Sequence, residues 1–343
     1  MKATATKLIV AAILSVSVCG ARGQGSRIER NWVMNPAVVQ VDTREDVYVV
    51  GDVHGDYERL MRVLIAAGIV ARRPSSPDLV DWQGQGGILV FTGDLIDKWK
   101  HSVDVITLVH ALQIKAQAMG GRVIALMGNH EAEFLADSGE KKVRDFAAEL
   151  VDEGLNPENI AHCQGDLGEF LCRLPFAVRV NDWFFSHAGN TNGRSLWQLA
   201  SDLQYGVDQQ GFETSQLVAD DSILEARLGE NPWFALEDTR EQEVLTQYVE
   251  ALGVAHLVQG HQPGKVVFSD GVQRKSGSMF QRYGLIFLVD VGMSQGVDKS
   301  KGAVLRIKTR KASEAVVICA NGKKTVIWND LTKPQIAEAA PCD

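Results

Sequence analysis

The sequence runs to 343 residues, 45% of them hydrophobic and 23% charged, with a formal charge of −8 at pH 7. That mixture is ordinary for a folded globular chain and excludes an intrinsically disordered one. Basic pairs are confined to places such as Arg72-Arg73, Lys141-Lys142 and Lys323-Lys324, which excludes a long nucleic acid as partner, because phosphate contacts need clustered Lys and Arg.

Lys2 and Lys7 give a basic start, Leu8 to Val18 is an apolar run of eleven residues broken only by Ser15 and Ser17, and the small residues Cys19, Gly20, Ala21 and Gly23 follow. The pattern predicts a signal peptide over residues 1–23 and a periplasmic or secreted protein. The run is too short for a membrane span, so no transmembrane helix is expected. Cleavage falls after Gly20, Ala21 or Gly23, and lipid attachment at Cys19 is the alternative. Four cysteines remain, and their spacing suggests the local pairs Cys163–Cys172 and Cys319–Cys342, with four free thiols as the other reading.

Val47 to Val50 is an apolar, β-branched run and predicts a buried strand. Gly51-Asp52-Val53-His54-Gly55-Asp56 follows as a turn, and Leu60, Met61, Leu64 and Ile65 then recur at helical spacing. Asp52 and His54 are two residues apart, so an extended tip directs both side chains the same way. Residues 71–87 read as a loop. Ile88 to Phe91 is a second strand, with Asp94 just past its end, and residues 103–119 form an amphipathic helix. Val123 to Met127 is a third strand leading to Asn129 and His130, and residues 131–172 read as mostly helical. Val178 to Phe185 predicts a hairpin turning at Asn181-Asp182, and His187 follows its second arm. Ala255 to Gln259 leads into His261, and Leu285 to Val291 is a late strand. Residues 302–343 read as a short β-rich appendage. Each polar motif residue comes directly after a strand, where ligands collect in sheets flanked by helices.

The set Gly51-Asp52-Val53-His54-Gly55, Gly93-Asp94-Leu95-Ile96-Asp97, Gly128-Asn129-His130-Glu131, His187 and Gly260-His261 resembles the calcineurin-like metallophosphoesterase superfamily, in its phosphoprotein-phosphatase-like branch. Ser186-His187-Ala188-Gly189 and Val289-Asp290-Val291-Gly292-Met293-Ser294 are most similar to the bacterial-type, Shewanella-like phosphatases. The likeness covers residues 45–295. It implies an α/β (α+β) fold, two mixed sheets packed as a sandwich flanked by helices, with a dinuclear metal site at the strand ends. It also implies that Asp52, His54 and Asp94 hold one divalent or trivalent ion and that Asn129, His187 and His261 hold a second, with Asp94 as the bridge. Oxygen and imidazole donors without thiolates suit manganese, iron or zinc. A water between two such ions is acidified near neutral pH and attacks phosphorus in line. His130 is then the acid for the leaving oxygen, held by Asp97. His256 reads as a core residue, and His101, His110 and His162 as surface or packing residues.

Two departures bear on the substrate. Relatives carry Asp-Arg-Gly where this chain has Asp97-Lys98-Trp99, so a lysine without a bidentate fork takes the place of a phosphate-gripping arginine. Lys98 and Asn129 are the candidate phosphate contacts, and Trp99 reads as packing on a loop or stacking on an aromatic substrate. For a second phosphate arginine the candidates are Arg194, Arg227 and Arg282, each with the character of a surface residue. The expected activity is that of a phosphomonoesterase on a phosphorylated protein, peptide or small molecule. A nucleotide or dinucleoside polyphosphate hydrolase and a non-catalytic phosphate-binding protein are the alternatives.

Overall fold

The computed structural model describes residues 30–229, 240–309 and 313–342. The leader expected over 1–23 lies outside the described residues.

In chain order, β1 (Val38–Val41) and β2 (Val47–Val50) precede helix α1 (Tyr57–Ala66). Asp56 starts that helix by accepting the Arg59 backbone N–H at 3.0 Å, as an N-cap carboxylate does. Leu60, Met61, Val63 and Leu64 are buried, whereas Ile65, expected on the same face, is 37% exposed. Next come β3 (Ile88–Phe91), α2 (Ser102–Ala118), β4 (Arg122–Ala125), α3 (Asn129–Ala136), α4 (Arg144–Asp152), α5 (Pro157–Ala161) and α6 (Gly165–Cys172). β5 (Ala177–Val180) and β6 (Trp183–Ser186) form the expected hairpin, with Asn181 in the left-handed region at its turn. They are followed by α7 (Leu196–Gln210), α8 (Ser215–Val218), α9 (Glu241–Leu252) and β7 (His256–Gln259). The strands that complete the order are β8 (Val266–Val267), β9 (Gln273–Arg274), β10 (Met279–Arg282), β11 (Ile286–Leu288), β12 (Ala303–Lys308), β13 (Glu314–Cys319), β14 (Lys324–Asn329) and β15 (Ile336–Ala339).

Two large mixed sheets result, one ordered β14-β13-β12-β2-β3-β4 and the other β1-β5-β6-β7-β11-β10-β15. β2, β3 and β4 run parallel, and every residue of β2 and β3 is buried. A parallel strand covered on both faces has no polar side to show, which is why these runs are apolar without alternation. β6, β7 and β11 are likewise parallel neighbours. Both sheets line one continuous apolar core.

The described residues of the stretch 302–343 are β-rich but do not form an appendage. β12 lies between β13 and β2, pairing Val304 with Val50 and Leu305 with Val49, and β15 adds to the other sheet beside β10. The reason is in the residues: Val304, Leu305, Ile307, Val317 and Ile318 are all buried, and only an interior strand can bury so many. Lys324 opens the edge strand β14, where charge discourages further pairing. Cys163–Cys172 and Cys319–Cys342 are both disulfides, the pairing expected from their spacing. His256 is a core residue as expected. It stacks on Trp183 at 3.9 Å and sets its Nδ1 2.5 Å from the Gly284 carbonyl oxygen.

Candidate metal centre

Because β2, β3 and β4 are parallel and in register, their carboxyl ends lie side by side. Asp52 and His54 leave the first end, Asp94 the second, and Asn129 and His130 the third. From the opposite sheet His187 leaves β6 and His261 leaves β7, whose last residues Ser186 and Gln259 pair. The chain turns away from each strand sharply: φ is 45° at His54, 51° at Asp94, 67° at Asp97 and 64° at His261. A non-glycine residue in this region costs about 1–3 kcal/mol, so surrounding contacts must hold it there. The motif glycines allow close approach. A Cβ on Gly128 would collide with the Asp94 carboxylate, and one on Gly260 with that of Asp52.

The donors converge. Asp94 turns one oxygen to each side, with Oδ2 3.4 Å from His54 Nε2 and Oδ1 3.5 Å from His187 Nε2. His187 Nε2 also lies 3.0 Å from Asn129 Oδ1 and 3.1 Å from His261 Nδ1. Each of these histidines sets its other ring nitrogen on a backbone carbonyl: His54 Nδ1 on Ile96 at 3.1 Å, His187 Nδ1 on Thr92 at 2.9 Å and His261 Nε2 on Glu225 at 3.2 Å. A neutral imidazole that donates outward keeps its lone pair inward, as a metal ligand requires. Asp52 completes the group, both of its oxygens 3.1 Å from the His261 backbone N–H. The three histidines, two carboxylates and one amide thus fit a pair of cations bridged by Asp94.

Electrostatics agree with that fit. Burial, then the neighbouring acids Asp290 and Asp94, push the Asp52 carboxyl well up, and burial raises Asp94 to about 8. Burial also lowers His187 to about 3 and holds His54 and His261 well below the usual imidazole range. These are buried acids short of positive charge beside histidines with free lone pairs. Metal uptake is therefore expected to release protons, since a cation binds ionised Asp94 and the carboxyl keeps its proton below about pH 8. The histidines are already neutral through that range. Calorimetric titration with Mn²⁺ at pH 6.5 and 9, in buffers of differing ionisation heat, should show greater proton release and weaker binding at the lower pH. No release at pH 6.5 would contradict this account.

His130 sits in the first turn of α3 with its ring edge-on to His54 and its Nδ1 3.2 Å from Asp97 Oδ2. Burial works to lower its pKa and is outweighed by Asp94 and Asp97, so the ring holds its proton more tightly than usual. Asp97 Oδ1 in turn accepts from the Asp145 and Phe146 backbone N–H groups at 3.1 Å each, at the start of α4. Lys98 Nζ lies 3.9 Å from Asp97 Oδ2 and its side chain is 39% exposed. Trp99 is half-buried beside Gly55.

The three candidate arginines separate. Arg282, expected at the surface, is buried, bonded to Asp270 at 2.7 Å and 3.1 Å from Glu241. Arg194 is bonded to the Thr191 carbonyl and to Gln216. Arg227 alone lies close enough to the centre to help depress His187 and His261. Its segment crosses beside the site, fastened where Ala188 N meets the Ile223 carbonyl at 2.8 Å and where Gln262 exchanges two 3.0 Å bonds with Leu228.

Sequence reasoning assigned no part to three buried groups. Glu131 gathers the N–H groups of Asp94, Leu95, Ile96 and Gly128 at 2.7–3.2 Å, fixing the Asp94 turn. Asp290 meets the Asp52 carboxyl, and Arg274 donates to the Asp290 carbonyl from complete burial. The sequence pattern puts Asp290 inside a strand over 285–291. β11 ends at Leu288, so Asp290 is another polar residue just past a strand, the signal that exposed the rest.

Two mixed sheets that bring their strand ends to a buried centre rich in carboxylate and imidazole define a candidate metallohydrolase site. The chain belongs to the calcineurin-like phosphoesterase family, whose model matches residues 46–265. It is therefore a phosphoric ester hydrolase, and membership implies two metal ions. An uncharacterised protein of Schizosaccharomyces pombe is 26% identical over 292 residues, 81% of each chain. Shewanella-like protein phosphatase 1 of Plasmodium berghei is 25% identical over 266 residues, 72% of this chain and 67% of its own. The fold is similar to that of a cold-active protein-tyrosine phosphatase from a psychrophilic Shewanella species, with a TM-score of 0.62 and 20% identity over 84% of this chain and 81% of that one.

Proposed function

We propose that the chain is an exported phosphomonoesterase acting on phosphorylated protein or peptide, loaded with manganese, iron or zinc. The observation that carries the reading is the Asp94 carboxylate, whose two oxygens face two separate imidazole groups. Likeness to a protein phosphatase over most of the chain supports a phosphoprotein substrate. The two disulfides support an oxidising compartment.

In this reading Asp52, His54 and Asp94 hold one ion, and Asp94, Asn129, His187 and His261 the other. When bound, the ions polarise the phosphoryl group and acidify the attacking water. His130 gives its proton to the departing ester oxygen, and Asp97 keeps that ring oriented and charged. Lys98 and Asn129 contact phosphate oxygens, and Arg227, whose charge is felt at His187 and His261, supplies the two-pronged grip that Lys98 lacks.

The test is turnover by the mature, metal-reconstituted protein of p-nitrophenyl phosphate, phosphotyrosine and phosphoserine peptides, and a dinucleoside polyphosphate at equal concentration. A phosphopeptide is expected to be preferred. Preference for the dinucleotide would move the substrate to nucleotides, and no turnover with any of the three metals would overturn the enzymatic reading. Arg227→Ala is expected to lower kcat/KM for every phosphomonoester about 10- to 100-fold, the worth of one charge-assisted contact. An unchanged value would free Arg227 from the phosphate.

A further inference from the structure

We propose that Glu133 is a positioning residue that decides which end of the Asn129 amide faces the second cation. The inference deepens the two-metal phosphoesterase reading and rests on it.

A carboxamide has two nearly isosteric ends, and only its oxygen carries lone pairs for a cation. A half-turn about the last torsion replaces a ligand with an N–H group that repels the ion. Something must therefore choose the orientation. Asn129 Oδ1 faces the metal side, 3.0 Å from His187 Nε2, while its Nδ2 donates to Glu133 Oε1 at 3.4 Å. Glu133 lies four residues along α3, on the same helical face. Its carboxylate can only accept, so it pairs with the nitrogen end and refuses the oxygen end. Nδ2 has two protons, and the second remains for a phosphate oxygen.

Glu133 is itself fixed. Its side chain is 11% exposed, and Lys142 Nζ donates to the same Oε1 at 2.6 Å. Lys142 belongs to the short turn Lys141–Val143, and directly after it Asp145 and Phe146 give their N–H groups to Asp97. One stretch of chain thus steadies the partner of Asn129 and the partner of His130 together. An apolar residue at 133 would leave the amide free to present either end.

The experiment is calorimetric titration of Mn²⁺ onto the metal-free mature chain. The wild type is expected to take up two ions. Glu133→Met, which keeps length and helix propensity but removes the acceptor, is expected to keep one ion at wild-type affinity and weaken the other about 10- to 100-fold, the usual cost of a lost outer-shell partner. Glu133→Gln should weaken that same ion by less than Glu133→Met does, because Lys142 holds its carbonyl oxygen toward the Asn129 N–H although its own N–H can also pair with the turned amide. Unchanged binding of both ions in Glu133→Met, or equal weakening of both, would overturn the proposal. If Glu133→Met does not fold, Glu133→Asp withdraws the acceptor by one methylene, with the same selective loss expected and undiminished affinity again overturning the proposal. A wild type that takes up fewer than two ions would instead sink the two-metal reading, and the inference with it.

Discussion

Asp94→Asn is expected to lower metal-dependent kcat/KM by at least about a thousandfold, or roughly 4 kcal/mol of barrier, and at the same time to stabilise the metal-free fold. Asp94 Oδ1 accepts the His130 backbone N–H at 3.0 Å, so the oxygen of the new amide stays on that side and its nitrogen turns toward His54. The His54 side loses its donor and the bridge is broken. The stability gain has a separate origin. In the unfolded chain this carboxyl ionises near 3.8, whereas in the metal-free fold it keeps its proton to about 8. Between those values the wild-type fold loses about 1.4 kcal/mol of stability per pH unit from this group, and asparagine carries no such cost. Thermal melts in chelator should coincide near pH 4 and place the variant above the wild type at pH 8. With Mn²⁺ present the order should reverse, because only the wild type gains from loading both sites. A variant that keeps its turnover, or melts lower than the wild type in chelator at pH 8, would remove Asp94 from the bridge.

Much of this centre was legible in the sequence because of where its residues sit. Val47–Val50 and Ile88–Phe91 announce strands buried on both faces, and Asp52, His54, Asp94, Asn129, His187 and His261 each follow such a run. Parallel pairing then brings the strand ends together, so a one-dimensional pattern becomes a three-dimensional site. What the sequence hid is tertiary. β12 reads as one more apolar run, and nothing local tells that it pairs with β2 across more than 250 residues of chain. Arg282 and Arg227 look alike in sequence, yet one is buried against Glu241 and Asp270 and the charge of the other is felt at the candidate ligands His187 and His261. Glu131 stands in the motif itself, but its work is done on the backbone N–H groups of Asp94 to Ile96, about 35 residues upstream. The left-handed turn at His54 has no marker at all, being imposed by neighbours such as the Asp94 carbonyl, which accepts the Val53 and His54 N–H groups at 2.9 Å.

His130→Asn is expected to slow hydrolysis of a phosphoserine peptide about 10²- to 10³-fold, within the range of a lost general acid, and of p-nitrophenyl phosphate far less. Serine leaves as an alkoxide that must be protonated as its bond to phosphorus breaks, whereas p-nitrophenolate departs unaided. His130 is equipped for the first case. Burial opposes charge on its ring, and Asp97 Oδ2, 3.2 Å from Nδ1, favours it and raises the ring's pKa. The active form carries the proton, so phosphoserine turnover should fall as pH rises past that pKa. Asp97→Asn removes a contact that raises it, so the alkaline limb should move to lower pH, while the p-nitrophenyl phosphate profile shifts less. The same ring also lies within reach of His54 and Asp94 as a third member of a cation-sized cluster, which gives the comparison its force. A ligand would be needed equally by every substrate, so equal losses on both esters would assign His130 to holding metal, and a loss confined to the poor leaving group assigns it to the proton.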